Sequence, residues 1–282
     1  MSIGVIGLGF VGSAVENGFQ GYFTRSFDKK PELSKHSLEE VLKQDFVFIC
    51  VPTPMKSAEV GKCDLSIIEN CIDEINEIGS HSIFIIKSTV PIGFTLRVQK
   101  EYPRLKFVHS PEFLTAINAQ NDFENPDRNV VGHTGSLATA EKVVSLYRSR
   151  FPSAPCFLMS SDESEMTKYI ANCFLATKVS FFNEMYDLVC KMGGSWESVS
   201  AAIISDARIG KSHFKVPGPD GSRGFGGTCF PKDINSLIYQ MHDLSLPTDM
   251  LMSAWTTNLR VREDHDWLSE PSAVSNRDES KS

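Results

Sequence analysis

The chain has 282 residues, of which 41% are hydrophobic and 22% charged, and a formal net charge of −7. That length suits roughly two globular domains. The acidic balance gives no electrostatic reason to bind nucleic acid or an anionic membrane surface, and no apolar run reaches the roughly 20 residues that span a bilayer. Met1-Ser2-Ile3-Gly4-Val5-Ile6 enters a strand directly, without the basic-then-apolar layout of a signal peptide. The seven cysteines are scattered, form no CxxC pair and make no ligand-spaced cluster with the seven histidines. The expectation is reduced thiols in a cytoplasmic setting and no metal site.

In chain order, the apolar residues 3–6 are followed by Gly7-Leu8-Gly9-Phe10-Val11-Gly12. Gly-x-Gly-x-x-Gly between a strand and a helix is a dinucleotide fingerprint. Gly7 makes the tight turn, Gly9 admits the pyrophosphate and Gly12 lets helix and strand pack closely. The anion then rests on the free N–H groups of the helix N-terminus. Asp28 ends the next apolar stretch, 22–27, where a carboxylate bonds the ribose hydroxyls and repels a 2′-phosphate. That favours NAD, although Lys29 and Lys30 alongside would suit a 2′-phosphate.

The run 46–51 is continuously apolar, as in strands buried on both faces of a parallel sheet. A helix over 64–78 puts Leu65, Ile68, Ile72 and Ile75 on one face, and Gly79 closes it. Further strands are expected at 82–86, 105–108, 129–131 and 156–159, with a helix over 136–150. Strands alternating with helices predict a doubly wound α/β domain, whose ligands lie beyond the carboxyl ends of the strands. Thr53, Ser88, Thr89 and Glu112 fall at such ends.

From about residue 162 the pattern becomes helical. The spacing predicts one long helix over 163–191, largely buried through Met166, Ile170, Phe174 and Val179. Lys168 and Asn172, four apart, share a face of it. On the residues alone, a snorkelling lysine and a satisfied core amide fit as well as a functional pair. Shorter helices are expected over 196–205, 232–243 and 248–267. The polar tail 269–282 reads as disordered.

The long loop 211–227 ends in Arg223-Gly224-Phe225-Gly226-Gly227-Thr228-Cys229-Phe230-Pro231-Lys232-Asp233. Glycine lets backbone approach a ligand, and cysteine is the strongest neutral-pH nucleophile among side chains. If Pro231 opens a helix, Asp233 lies in its first turn, facing back toward the thiol. A glycine-rich loop that merely holds a buried cysteine is the plainer alternative.

Taken together, Gly7–Gly12, Val51-Pro52-Thr53-Pro54, 87–91, Pro111-Glu112-Phe113-Leu114, Asn125-Pro126-Asp127-Arg128, Lys168/Asn172, Asn183-Glu184, 206–210 and 224–233 resemble the UDP-glucose/GDP-mannose dehydrogenase family in order and spacing. The resemblance covers residues 1 to about 265, the first two domains of that family. It implies a Rossmann-type NAD-binding domain (1–160), a helical central domain with the cysteine loop (161–268) and a homodimer formed through the central helices, 248–267 among them. It also implies NAD-dependent oxidation of the C6 alcohol of a nucleotide sugar to a uronate, UDP-glucose first and GDP-mannose second.

By that resemblance Cys229 is the nucleophile, and Lys168 and Asn172 stabilise the oxyanion. Asp233 handles a water and the alcohol proton. Glu112 is the base for thioester hydrolysis, helped by Thr89. Phe113, Leu114, Arg208, Phe225 and Gly226 lie on the substrate side. The sequence departs from the family pattern in three ways: the family's third, nucleotide-gripping domain has no counterpart in it, Ala116 and Ile117 stand where glutamate and glycine are usual, and the segment between Asp28 and Phe46 is short. Two other readings stay open. One is a one-step hydroxyacid dehydrogenase of the related two-domain class, which shares the lysine–asparagine pair but has no use for the thiol. The other is a binding protein that has lost catalysis.

Overall fold

The computed structural model describes residues 1–57, 60–115 and 118–275. Ala116 and Ile117 lie outside the described residues, as does the tail from 276 on. The described chain divides into two compact units, Met1–Thr53 with Leu65–Lys168, and Pro54–Asp64 with Tyr169 onward.

The first unit is built on seven strands: β1 (Ser2–Ile6), β2 (Phe23–Phe27), β3 (Phe46–Ile49), β4 (Ile83–Ile86), β5 (Lys106–His109), β6 (Asn129–His133) and β7 (Cys156–Ser160). Their order in the sheet is β2-β1-β3-β4-β5-β6-β7. The first five are parallel, with Ile3 opposite Phe46, Phe46 opposite Ile83 and Ile83 opposite Lys106. β6 and β7 run parallel to each other but antiparallel to β5. The sheet is therefore mostly parallel, as a doubly wound domain requires, with one antiparallel junction where the connection from β5 to β6 returns at the same end of the sheet instead of crossing over.

The helices of this unit are α1 (Phe10–Gly18), α2 (Leu38–Val41), α3 (Ser66–Ile78), α4 (Phe94–Glu101), α5 (Ala119–Glu124) and α6 (Leu137–Arg150). Strand residues alternate between two cores. Ile3, Val5, Phe46, Phe48, Ile83 and Ile85 pack with α1 and α6, whereas Ile6, Val47, Ile49, Phe84 and Ile86 pack with α3 and α4. Burial on both faces explains the unbroken apolar runs. α3 follows the expected period, burying Ile68, Cys71, Ile72 and Ile75, and ends at Gly79 with φ 80°.

α4 was not foreseen. Its N-terminus is capped from far along the chain: the buried Glu165 carboxylate accepts hydrogen bonds from Gly93 N at 2.6 Å, Thr95 N at 2.9 Å and Thr95 Oγ1 at 2.6 Å. Three donors that would otherwise be orphaned or wasted are satisfied by one side chain.

Helix α7 (Ser161–Lys191) runs from the first unit into the second. The second unit continues with α8 (Trp196–Ile204), α9 (Cys229–Asp243), α10 (Asp249–Val261) and a 3₁₀ turn at Asp266–Leu268. Phe182, Trp196 and Val216 form one of its cores. Three expectations need correction here. α7 is not largely buried: Ile170 is 60% and Phe174 65% exposed. α9 begins at Cys229, so Pro231 is its third residue, where its missing N–H still costs nothing. α10 stops at Val261, because Arg262 leaves the helix to bury its guanidinium against Asp220, Asp266 and the Asp264 carbonyl.

The segment following Leu268 is built into this unit as far as Ser275, although its composition had read as a disordered tail. Ala273 and Val274, its apolar pair, are buried, Met55 N bonds the Ala273 carbonyl at 2.7 Å and Ser275 N bonds the Met55 carbonyl at 2.8 Å. Among the described residues no helix is long and apolar enough to cross a membrane.

Candidate active site

In the first unit the chain leaves β1 for β2 on one side and β3 on the other, so a crevice opens at the carboxyl ends of β1 and β3. The glycine turn sits there. Gly7 has φ +86°, and a Cβ on Gly12 would lie 1.7 Å from the Gly7 carbonyl oxygen, a contact that only glycine avoids. A Cβ on Gly9 would meet nothing within 4 Å, which leaves room for a ligand against the first turn of α1. Asp28 closes the turn by accepting from Leu8 N at 2.6 Å, while its other oxygen accepts from Lys30 N at 2.8 Å. Lys29 is drawn off to Glu74, 2.8 Å away. A cleft of about 570 Å³ beside Asp28 is lined by Phe27, Pro31, Ser34, His36 and Glu40 among others. These features fit a dinucleotide: an open place at a helix N-terminus for the pyrophosphate, and a carboxylate at the second strand for the ribose. Phe10 and Val11 open α1, with Phe10 47% exposed.

Thr53 and Ser88 are buried and shape the same crevice by spending their hydroxyl protons on backbone: Thr53 Oγ1 donates to the Thr89 carbonyl and Ser88 Oγ to the Val51 carbonyl, both at 2.6 Å. Next to them stands a buried charged cluster. Lys168 Nζ donates to Glu112 Oε1 at 2.8 Å and to the Glu112 carbonyl at 2.7 Å, and Glu112 Oε2 accepts from Leu114 N at 2.7 Å. Burial alone would raise the Glu112 carboxyl; the Lys168 ammonium outweighs it and holds the carboxyl below its usual range. Lys87 donates to the Pro111 carbonyl at 3.0 Å, and burial brings it down to about 8. Phe113 lies under the Arg128 guanidinium, 3.9 Å from its ring centre.

In the second unit Cys229 is the first residue of α9 and is exposed. Free N–H groups at a helix N-terminus favour an anion, which suits a thiolate. Asp233 follows one turn later and is buried. It accepts from Asn172 Nδ2 at 2.6 Å and pairs with Lys232 Nζ at 2.5 Å. Burial would lower the Lys232 ammonium, but Asp233 raises it well above its ordinary value, with Cys63 and Cys229 adding to the effect. Sequence reasoning had assigned no role to Lys232 or Lys87, although a lysine beside the motif carboxylate and another ending a buried strand were the available signals.

The predicted residues thus fall into two charged groups, Lys168 with Glu112 in the first unit and Asn172 with Asp233 in the second. Asp233 pairs with Asn172 and Lys232. Phe225 is packed in the interior against Phe230 and Trp255, and Gly226 follows it in the loop. Arg208 stands apart: its side chain is 89% exposed and forks onto Asp206.

A doubly wound sheet with this glycine turn and acid, followed by helices that carry a lysine–asparagine pair, defines the class of nicotinamide-dependent dehydrogenases. Residues 13–150 match the family model for the UDP-glucose/GDP-mannose dehydrogenase family, NAD binding domain, and residues 162–260 match that for its central domain. The chain belongs to the UDP-glucose/GDP-mannose dehydrogenase family. It is 33% identical to UDP-glucose 6-dehydrogenase of Rickettsia typhi over 92% of this chain and 67% of that one. The fold is similar to a UDP-glucose dehydrogenase from Pyrobaculum islandicum (TM-score 0.80, 30% identity, 92% of this chain and 68% of that chain). It is also similar to 3-hydroxyisobutyrate dehydrogenase of Mycobacterium tuberculosis, at TM-score 0.74 and 17% identity over 94% of each chain, a likeness of fold alone. The chain spans about two thirds of the length of the first two.

Proposed function

We propose that the protein is an NAD-dependent nucleotide-sugar 6-dehydrogenase that converts UDP-glucose to UDP-glucuronate. The observation that carries this reading is the thiol at the start of α9, with a buried carboxylate one turn on, bonded to Asn172 and Lys232. A one-step alcohol oxidation has no use for a thiol, whereas oxidation to an acid does have one, because the aldehyde must become a tetrahedral adduct before a second hydride can leave and a thiol can form that adduct. When bound, NAD+ supplies the hydride acceptor for both oxidations.

Gly7, Gly9 and Gly12 would hold its pyrophosphate and Asp28 its ribose. Asp233 takes up the alcohol proton through a water. The Cys229 thiolate adds to the aldehyde carbon, and the new oxyanion is met by the donors of Lys168 and Asn172. Loss of the second hydride leaves a thioester. Glu112, held ionised by Lys168, removes a proton from the water that cleaves it, with Thr89 helping to place that water. The acid departs and the thiol is restored. The balance is one alcohol, two NAD+ and one water to one carboxylate, two NADH and three protons.

The test is absorbance at 340 nm with NAD+ and a panel of UDP-glucose, GDP-mannose and UDP-N-acetyl sugars. A count near two NADH per UDP-glucose supports the reading. A final count of one overturns it, and a count near two on GDP-mannose alone moves the substrate.

For the cofactor, Asp28→Ala is expected to weaken NAD+ about tenfold, the loss of one hydrogen bond to a charged group, and to narrow the preference over NADP+. Calorimetric titration with both cofactors checks this, and an unchanged NAD+ affinity would place the adenosine elsewhere.

Ile170, Phe174, Phe181 and Leu188 recur at helical spacing on α7 and are 54–65% exposed, a continuous apolar stripe. We assign it to a second copy of the chain. Phe174→Asp is expected to convert a dimer to a monomer in light scattering; a wild-type monomer would remove the assignment. None of the seven cysteines is in a disulfide, and a thiol nucleophile suits the cytoplasm.

A further inference from the structure

The loop 224–227 has a shape dictated by side chains rather than by backbone. Gly224 and Gly227 both have φ +68°, and glycine loses more conformational freedom on ordering than any other residue. Such a loop holds one form only if it is gripped. Asn258, wholly buried on α10, uses both ends of its amide on one residue: Oδ1 accepts from Phe225 N at 2.7 Å and Nδ2 donates to the Phe225 carbonyl at 2.9 Å. It thereby stands in for a neighbouring strand. Asp266 accepts from Gly227 N at 3.0 and 3.2 Å.

Arg262, 3% exposed, fixes that carboxylate with Nη2 at 3.2 Å, and bonds Asp220 with Nη1 at 2.8 Å. The fit is close enough that a Cβ on Gly226 would lie 2.3 Å from both Arg262 Nη2 and Asp266 Oδ1. Two residues beyond Gly227, α9 begins with Cys229. None of the three gripping residues belongs to the motifs that carry the proposed chemistry.

We propose that Asn258, Arg262 and Asp266 are positioning residues for Cys229: by fixing the backbone of 224–227 they set where α9 starts and hence where its first thiol stands. The proposal rests on the reading of Cys229 as the nucleophile. Loosening the grip lets the first turn of α9 fray, so the thiol loses its fixed alignment with the N–H groups there. It also loses its alignment with a bound substrate, and a displacement of about 1 Å is worth on the order of 10²-fold in rate.

The experiment compares the full-length chain with Asn258→Asp, which turns an acceptor against the Phe225 carbonyl, and with Asp266→Asn. Site-resolved mass spectrometry follows iodoacetamide alkylation of Cys229 against exposed Cys190 as an internal standard, and kcat and KM are measured with UDP-glucose. Alkylation of Cys229 is expected to slow about fivefold relative to Cys190, the worth of a helix N-terminus to an anion. The expected fall in kcat is about 100-fold with KM within about threefold. A folded variant whose melting temperature drops while Cys229 is alkylated, and kcat persists, at the wild-type rate would show a merely structural grip and overturn the proposal. If one variant does not fold, the other decides. Failure of the nucleophile reading shows separately: wild-type chain fully alkylated at Cys229 would go on forming NADH.

Discussion

Cys229→Ser is expected to leave the protein folded and to lower the release of uronate by about 10⁴-fold or more, the scale seen when a covalent nucleophile is removed. Cys229 is exposed at the first position of α9, and an exposed substitution of nearly equal size moves stability by only about 0.5 kcal/mol. Loss of activity without loss of structure is therefore the expected pattern. A serine hydroxyl has too high a pKa to add to an aldehyde as readily as a thiolate does. The measurement is the acid formed per enzyme, with melting curves of both chains. Retained oxidation of a small hydroxyacid by the variant would instead favour a one-step dehydrogenase, the class whose fold this chain also resembles.

The second large effect concerns Lys168. Lys168→Met removes a buried ammonium that holds both the Glu112 side chain and its carbonyl, leaving a carboxylate only 8% exposed without its main counter-charge. Breaking a buried pair from one side costs about 3 kcal/mol or more, and removal of an oxyanion donor costs about 10²–10³ in kcat. The pH dependence separates the two. In the native chain the Glu112 carboxyl is held below its ordinary 4.5, so its contribution is present above that pH and lost as pH falls through the lowered value.

In the variant burial is opposed only by the Leu114 N–H and by Lys87, and the carboxyl is expected to rise. The acid is then neutral and tolerated in mildly acidic solution, and the penalty grows toward neutrality. Urea melts should therefore show the deficit of Lys168→Met widening from pH 5 to pH 7.5. A deficit that is the same at both would mean that the Glu112 carboxylate does not depend on this ammonium.

The first unit was legible because its strands are buried on both faces. Unbroken runs such as Phe46–Ile49 and Ile83–Ile86 have few other places to go, and the glycine turn fixed the chain's direction after β1. The reversal at β6 was not legible, since no local signal distinguishes a returning connection from a crossover. α4 escaped for a related reason: its cap, Glu165, lies 70 residues away from Thr95. In the candidate site the residue types were readable, whereas their partners were not. Spacing put Lys168 and Asn172 on one face, but only packing shows that the lysine is tied to Glu112 and the asparagine to Asp233. Composition misled at the end of the chain, where two small apolar residues, Ala273 and Val274, suffice to seat an otherwise polar segment on Met55.

The capping of α4 by Glu165 also couples folding to the uptake of a proton at this one group. Burial raises this carboxyl to about 7 in the folded chain, against an ordinary value of 4.5. Between those two pH values the unfolded chain holds the group ionised and the native chain holds it as the acid, so this carboxyl takes up a proton as the chain folds. The associated stability is fully present below 4.5 and drains away as pH rises through about 7. Calorimetric unfolding at pH 6 in buffers of different ionisation enthalpy should register close to one proton released per chain from this group, and Glu165→Gln should abolish that share. Through this one group acidification favours the folded chain, whereas the wholly buried His109, whose imidazole burial brings down from 6.5 to about 3, pulls the other way.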